Sequence, residues 1–277
     1  MAMTAQTPAR LAPLDPPGAA AGLAGALRSE FTKIRSVRST YWTLFAMVVV
    51  TIGIGALACV GAINRPHGQA VGPGFDPTQH SLIGLVLGQL IIVVLGALAI
   101  TSEYSTGMIR TSLSVQPRRG TVLAAKGIVF TLVSLVSGLV ASFGSFFIGQ
   151  AILSTKHLNT SLGDPNVLRA VIGGGLFLAV CGMLAFGLGT LLRHTAAAIS
   201  ASIGLLFVLF VLVNFLPQSW QVHVDKWIPF NAGSQVWTTV NQPGTHLFSA
   251  WTGFAVFLGY AVIAIIAGAI VFLRRDA

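Results

Sequence analysis

Residues able to do chemistry are few in this chain, and their spacing excludes more than it offers. Six histidines and two cysteines are its best metal ligands and nucleophiles. His67, His80, His157, His223 and His246 fall far apart, and Cys59 and Cys181 each lie inside an apolar run. Zinc sites and disulfide frameworks need clustered Cys or His, so ordinary loop histidines are expected, with no metal site and no disulfide. The sequence has no GxxxxGK[ST] phosphate loop, no HExxH and no GxSxG, hence no nucleotide, zinc-protease or serine-hydrolase signature. The chain is expected not to be an enzyme and to bind no cofactor of its own. Asn159-Thr160-Ser161 matches a glycosylation sequon, a pattern short enough to arise by chance.

The elements that hold these residues follow from composition. Of 277 residues, 54% are hydrophobic and only 8% charged, with a mean hydropathy of +0.82. A soluble domain carries roughly 25% charged residues, so a soluble fold is excluded. Six nearly uncharged runs stand out at 41–63, 82–101, 127–153, 170–192, 196–216 and 249–273. Each can cross a hydrocarbon core of about 30 Å as a helix, and none shows the alternation of barrel strands. The expected fold is all-α: a polytopic membrane protein with six transmembrane helices in a single domain over 23–277, preceded by a flexible tail over 1–22.

Charge sets the orientation. Placing both termini in the cytoplasm leaves only Arg65, Lys156, Arg169 and Lys226, of 16 basic residues, on the outer side, as the positive-inside rule favours. The net charge of +9 is thereby read as topology, not as a nucleic-acid site. The expected location is the inner (plasma) membrane.

Three stretches between spans carry information. Before the first span, Leu23, Leu27, Phe31, Ile34 and Val37 follow helical spacing, with Arg28, Lys33, Arg35 and Arg38 at other positions. This reads as a basic amphipathic helix lying in the inner interface, against membrane lipid or a docking partner. Between the second and third spans, Ser102–Lys126 holds Glu103, the only acidic residue in an inner loop between spans. A connector needs only a handful of residues, so a loop this long and mixed suggests a surface that another protein reads. The segment Pro217–Phe248 contains Trp220, Trp227 and Trp237, which fit an interfacial aromatic belt. It is expected as a re-entrant or interfacial helical segment, shielded by protein wherever it dips inward.

Within the spans, Gly84-x-x-x-Gly88 and other small residues permit close helix contact, expected inside the chain, with a dimer seam as the alternative. Gln89, Gln150 and Asn214 are candidates for a weakly polar pathway; buried amides need partners or a wet cavity. No span carries a central charge, which weakens a proton-driven carrier.

Together, LRSEFTKIRSVRSTYW, the six spans, EYSTGMIRTSLS followed by PRR, and the wide loop before the last span resemble an ABC-2 type ABC transporter permease of the actinobacterial exporter kind. The resemblance covers nearly all of the chain after the tail. It implies a permease subunit forming half of a translocation pathway, paired with a second copy or a related permease. Export is then driven by separate cytoplasmic ABC ATPase subunits, which carry the ATP and Mg. By position, Glu103, Tyr104, Gly107 and Arg110 fall in the first coupling region and Arg193 in the second inner turn. Arg28, Phe31, Lys33, Arg35 and Arg38 fall in the interfacial connecting helix. Glu103 or Tyr104 is the expected ATPase contact. A non-transporting membrane anchor or assembly protein, and an ion-coupled secondary transporter, are the alternatives. Substrate identity has no signature in the sequence.

Overall fold

The computed structural model describes residues 22–64, 75–105, 119–240 and 247–274. Among these residues the structure is helical, with no strand. Helix α1 covers Leu23–Ser36 and α2 covers Arg38–Ile63; Val37 between them is extended, which turns the chain from one into the other. Helices α3 (Pro77–Leu82) and α4 (Leu85–Ser105) form the second span, α5 (Arg119–Ser154) the third and α6 (Val167–Leu192) the fourth. Helix α7, Thr195–Val213, is the fifth span and contains a π-helical turn at Gly204–Val208. Short helices α8 (Gln218–Val224) and α9 (Pro229–Ser234) precede α10 (Ala250–Arg274), the sixth span. All six expected spans are present, each within a few residues of its expected limits, except that the second and third helices begin earlier.

Helix α6 is the axis of the bundle. It packs against α4, α5 and α10, and 78% of its most apolar stretch is buried, against 22% for α2 and α7. Between lipid-immersed helices there is no hydrophobic driving force, so close packing and hydrogen bonds must hold them. Small residues supply the first. A Cβ on Gly182 would press on Phe130 and Ile92, and one on Gly187 would meet the α10 backbone at Ala264 and Ile265. Gly84 and Gly88 both face Thr51 of α2, so the GxxxG pair is spent inside the chain and not on a dimer seam.

Hydroxyls supply the second. The second span breaks after Leu82, where Ile83 and Gly84 form a turn. Asp76 caps α3 by accepting from the Thr78 and Gln79 amides at 2.9 and 3.0 Å. A break at membrane depth frees carbonyls that must find donors. Ser145 Oγ donates to the Ser81 carbonyl at 2.5 Å, and Gln150 Nε2 donates to the Pro77 carbonyl at 3.1 Å. Gln150 thus ties the first turn of α3 to α5, and it is fully used, since its Nε2 also donates to Ser81 Oγ at 2.9 Å and its Oε1 accepts from the Thr160 amide at 2.8 Å. Asn214 donates to the Phe210 carbonyl of its own helix and is exposed. Gln89 is fully buried, and its Nε2 has no hydrogen-bond partner among the described residues.

At the end of the bundle away from α1, the segment before α10 folds back into protein. Pro229 through Ser234 are buried against α10 and α6, so the shielding expected for an inward-dipping segment is present. Trp220 and Trp227 are exposed, but Trp237 is only 3% exposed. This corrects the reading of all three as belt residues: Trp237 packs edge-on against Phe177, 6.4 Å between centroids. Arg169 holds the exit of the segment, donating to the carbonyls of Val236 at 3.0 Å and Thr238 at 2.9 Å. Asp76 accepts from the Thr239 hydroxyl.

Candidate functional site

Helix α1 lies against α5 and touches α2. Its buried residues are Ala26 and Glu30, one small and one charged. The apolar stripe read from the sequence is only partly covered: Leu27 and Ile34 are half-buried, while Leu23 is 45% and Phe31 53% exposed. Arg28 and Arg35 are exposed as well. The charged anchor of the helix in the bundle is Glu30, with Lys33 beside it.

Glu30 and Glu103 are the chain's only glutamates, and both are buried with Lys126. Lys126 Nζ lies 2.7 Å from Glu30 Oε2 and 2.8 Å from Glu103 Oε1. Lys33 Nζ, half-buried, lies 2.8 Å from Glu30 Oε1 and 3.1 Å from Glu103 Oε1. Two carboxylates and two ammonium groups thus close a neutral four-membered cluster across α1, α4 and α5. Burial alone would raise the Glu30 carboxyl, but Lys126 and Lys33 together hold it below its ordinary value. Burial would likewise lower the Lys33 amine, yet Glu30 and Glu103 hold it above. The charged forms are therefore favoured, as neighbouring opposite charges dictate.

Lys126 departs from its expected place. Composition puts it in the loop ahead of the third span, but α5 begins at Arg119, so Lys126 sits two turns inside the helix with its amine turned into the cluster. Neither Lys126 nor Glu30 was singled out from the sequence. The available signal was the scarcity of acids: two lone glutamates among 16 basic residues, at a bundle end rich in cations, must be paired if buried.

Tyr104 and Arg193 extend the arrangement. The Arg193 guanidinium carbon is 5.2 Å from the centroid of the Tyr104 ring, a cation–π distance. Arg193 also donates to the Val271 carbonyl of α10 at 3.0 Å, and Thr195 Oγ1 donates to Thr101 Oγ1 at 2.9 Å. The α6–α7 turn is thereby tied to both α4 and α10. Arg193 adopts a left-handed backbone, φ 55, a conformation that costs a side-chain-bearing residue about 1–2 kcal/mol. Of the other sequence candidates, Arg38 starts α2 and is exposed; Gly107 and Arg110 lie outside the described residues.

Residues 24–277 match the family described as ABC-2 family transporter protein. The chain belongs to that family. The match runs from the first turn of α1 to the end of the chain and includes every element of the ionic cluster. No curated protein matches the chain. As an ABC-2 permease it is an integral, non-enzymatic transmembrane subunit of an ABC transporter, and such permeases associate in general with an ABC ATPase. Among the described residues, no three His, Cys, Asp or Glu side chains converge as metal ligands.

Proposed function

We propose that this permease forms half of the pathway of an ATP-driven exporter, with both termini cytoplasmic and the α1 end of the bundle facing its ATPase. The ATP and Mg reside on that partner, and a second permease copy or a related permease completes the pathway. The ionic cluster carries the reading. It binds α1 to the ends of two spans, and the adjacent Tyr104–Arg193 contact reaches two more. A push applied to this end is therefore distributed to α4, α5, α6 and α10 without any one helix bearing it alone.

Within this reading Glu103 and Tyr104 act at the joint between ATPase and spans. Glu103 is 7% exposed, so its contribution passes through Lys126 and α1 as well as through the loop that follows α4. Arg28, Phe31, Lys33, Arg35 and Arg38 belong to the connecting segment, and Gly107 and Arg110 to the first coupling loop.

The test is co-purification from detergent-solubilised native membrane, comparing wild type with Glu103→Lys. Wild type is expected to retain a soluble ATPase in fixed ratio and to couple ATP hydrolysis to substrate-stimulated turnover. Glu103→Lys, which sets a third cation against Lys33 and Lys126, is expected to lose coupling. Unchanged association and unchanged coupled turnover in Glu103→Lys would remove Glu103 from the joint. A clean wild-type preparation without an ATPase would remove the reading as a whole.

A further inference from the structure

The fifth span changes character halfway along. Its first half, Thr195–Ile203, packs against α4 and α6. It buries Ala198 and Ser202, and the Thr195–Thr101 hydroxyl contact pins its start. Next comes the π turn, where the Leu209 amide donates to the Gly204 carbonyl five residues back. Such turns are a recognised cause of helix kinks and recur at functional sites. Beyond it the helix is poorly covered: Val208, Leu209, Val211 and Leu212 are each at least 40% exposed. Gly204, the first residue of the turn, has ordinary helical angles, φ −55 and ψ −48. A Cβ there would meet nothing within 4 Å. Neither backbone conformation nor packing calls for glycine at this position, so what it adds is backbone freedom.

The second half of α7 and helix α8 form one strap, 209–224. Gln221 Nε2 donates to the Leu216 carbonyl at 2.8 Å and to the Asn214 carbonyl at 3.3 Å, which fastens α8 to the end of α7. Helix α8 buries no residue of its own. The strap meets the bundle through the buried Val213 and through Phe210, whose ring lies 4.7 Å from that of Phe230 in α9. Past its far end the chain is held again: Asn231 donates to the Asp225 carbonyl at 3.2 Å, and Tyr260 Oη to the Trp227 carbonyl at 2.9 Å. Helix α9 beneath it is tight. Arg169 holds its exit, and a Cβ on Gly233 would press into Phe257 and Phe177. A segment with few buried contacts, joined to well-packed neighbours at both ends, is where a fold opens most easily.

We infer that 209–224 is a strap that pivots on the Gly204–Val208 turn and at Asp225, lifting Phe210 and Val213 from a stationary α9. From the middle of the turn to Val213 is about 10 Å at 1.5 Å per residue, so a swing of about 30° moves that end by about 5 Å. The movement opens an apolar crevice floored by Phe230 at the end of the bundle away from α1. Its use as an exit for apolar cargo rests on the exporter reading; the pivot does not.

The experiment is a pulsed electron-paramagnetic distance measurement on the full chain in lipid nanodiscs. Spin labels go on Ser161→Cys with Ser219→Cys, reporting the strap, and on Ser161→Cys with Val240→Cys, reporting the end of the held segment; all three positions are exposed. The strap pair is expected to show two populations about 5 Å apart, and the reference pair one. Gly204→Ala is expected to collapse the strap pair to a single distance, and Phe210→Ala to enrich the displaced one. Gly259→Ala is the control, a helical glycine of α10 that also has nothing within 4 Å of its Cβ position, and is expected to leave both pairs as in wild type. A strap pair as narrow as the reference would overturn the inference, as would a strap pair unmoved by Gly204→Ala or narrowed equally by Gly259→Ala. With a co-purified ATPase, ATP and vanadate are expected to shift the strap populations. Absence of that shift in a complex that hydrolyses ATP would remove the strap from the transport cycle. Two populations in a permease that retains no ATPase would uphold the pivot while the exporter reading failed.

Discussion

Lys126 is the residue on which the described cation–carboxylate contacts converge most tightly, bridging two buried glutamates that come from different helices. Removing one partner from a buried ionic group leaves uncompensated charge and costs about 3–5 kcal/mol. Lys126→Ala is therefore expected to lower the thermal unfolding midpoint in detergent sharply. Lys126→Glu paired with Glu103→Lys, which keeps the cluster neutral, is expected to recover part of that loss. An unfolding midpoint for Lys126→Ala within a degree of wild type would mean that the cluster contributes nothing to stability. Arg193 poses the opposite question. Its left-handed backbone suits glycine, so Arg193→Gly relieves a strain of about 1–2 kcal/mol while deleting the Tyr104 and Val271 contacts. We expect little net change in stability and a loss of substrate-stimulated ATP turnover. A variant that is clearly stabilised and fully coupled would show that the arginine is not needed at the turn.

At the scale of elements, the seating of α1 is set by two shifted groups whose signs are opposite. The Glu30 carboxyl is held below its ordinary 4.5, so its contribution is complete above 4.5 and is lost as pH falls through the lower value of the folded state. The Lys33 amine is held above its ordinary 10.5, so its contribution is complete below 10.5 and is lost as pH rises through the higher folded value. Helix α1 should stay docked across the whole interval between those two values. A spin label at Ser29→Cys, on the exposed side of α1, is expected to report constant mobility there and a rise only beyond its ends. A mobility transition near neutral pH would contradict this assignment. Both native cysteines are fully buried, so they compete little for the label.

Element existence was legible because a membrane span advertises itself locally: about 20 consecutive apolar residues suffice. Helix ends were less legible. The second span starts at Pro77, ahead of its apolar run, because Asp76 caps it, Gln150 ties its first turn to α5 and Ser145 satisfies a carbonyl at the break behind it. Those donors lie 60 to 75 residues away in sequence, where no local pattern reaches. Helix α1 was legible as basic and amphipathic, but not which face it buries, since its most buried residues are Ala26 and Glu30 and not the apolar stripe.

For the whole molecule, the arrangement is a central α6 flanked by α4, α5 and α10, with α2 and α7 as the least buried spans. Helix α2 leaves Trp42 at 70% and Leu57 at 66% exposure, and the turn after α7 leaves Phe215 at 81%. These are faces for lipid or for the second permease of the proposed assembly. Orientation is a property of the entire chain and is tested as one. Single cysteines at Ser29 and at Ser161, in the α5–α6 turn, should differ in reaction with a membrane-impermeant maleimide on intact cells. Ser161→Cys is expected to label and Ser29→Cys to label only after lysis. The reverse pattern would invert the proposed topology.

Sequence alone determined that this chain lives in a membrane, how many times its helices cross, and where its cations gather, because the bilayer judges each segment of some 20 residues by its own composition. The family resemblance was also legible there, in the EYSTGMIR stretch and the connecting segment. Tertiary structure alone decided which charges meet. Glu30, Lys33, Glu103 and Lys126 span 96 positions of sequence, and only the packing of α1, α4 and α5 brings their side chains within 3.1 Å. It also decided that Trp237 is core and not belt. Pairing across helices depends on rotation and depth of each helix in the bundle, and neither is encoded in the hydropathy of the helix taken singly.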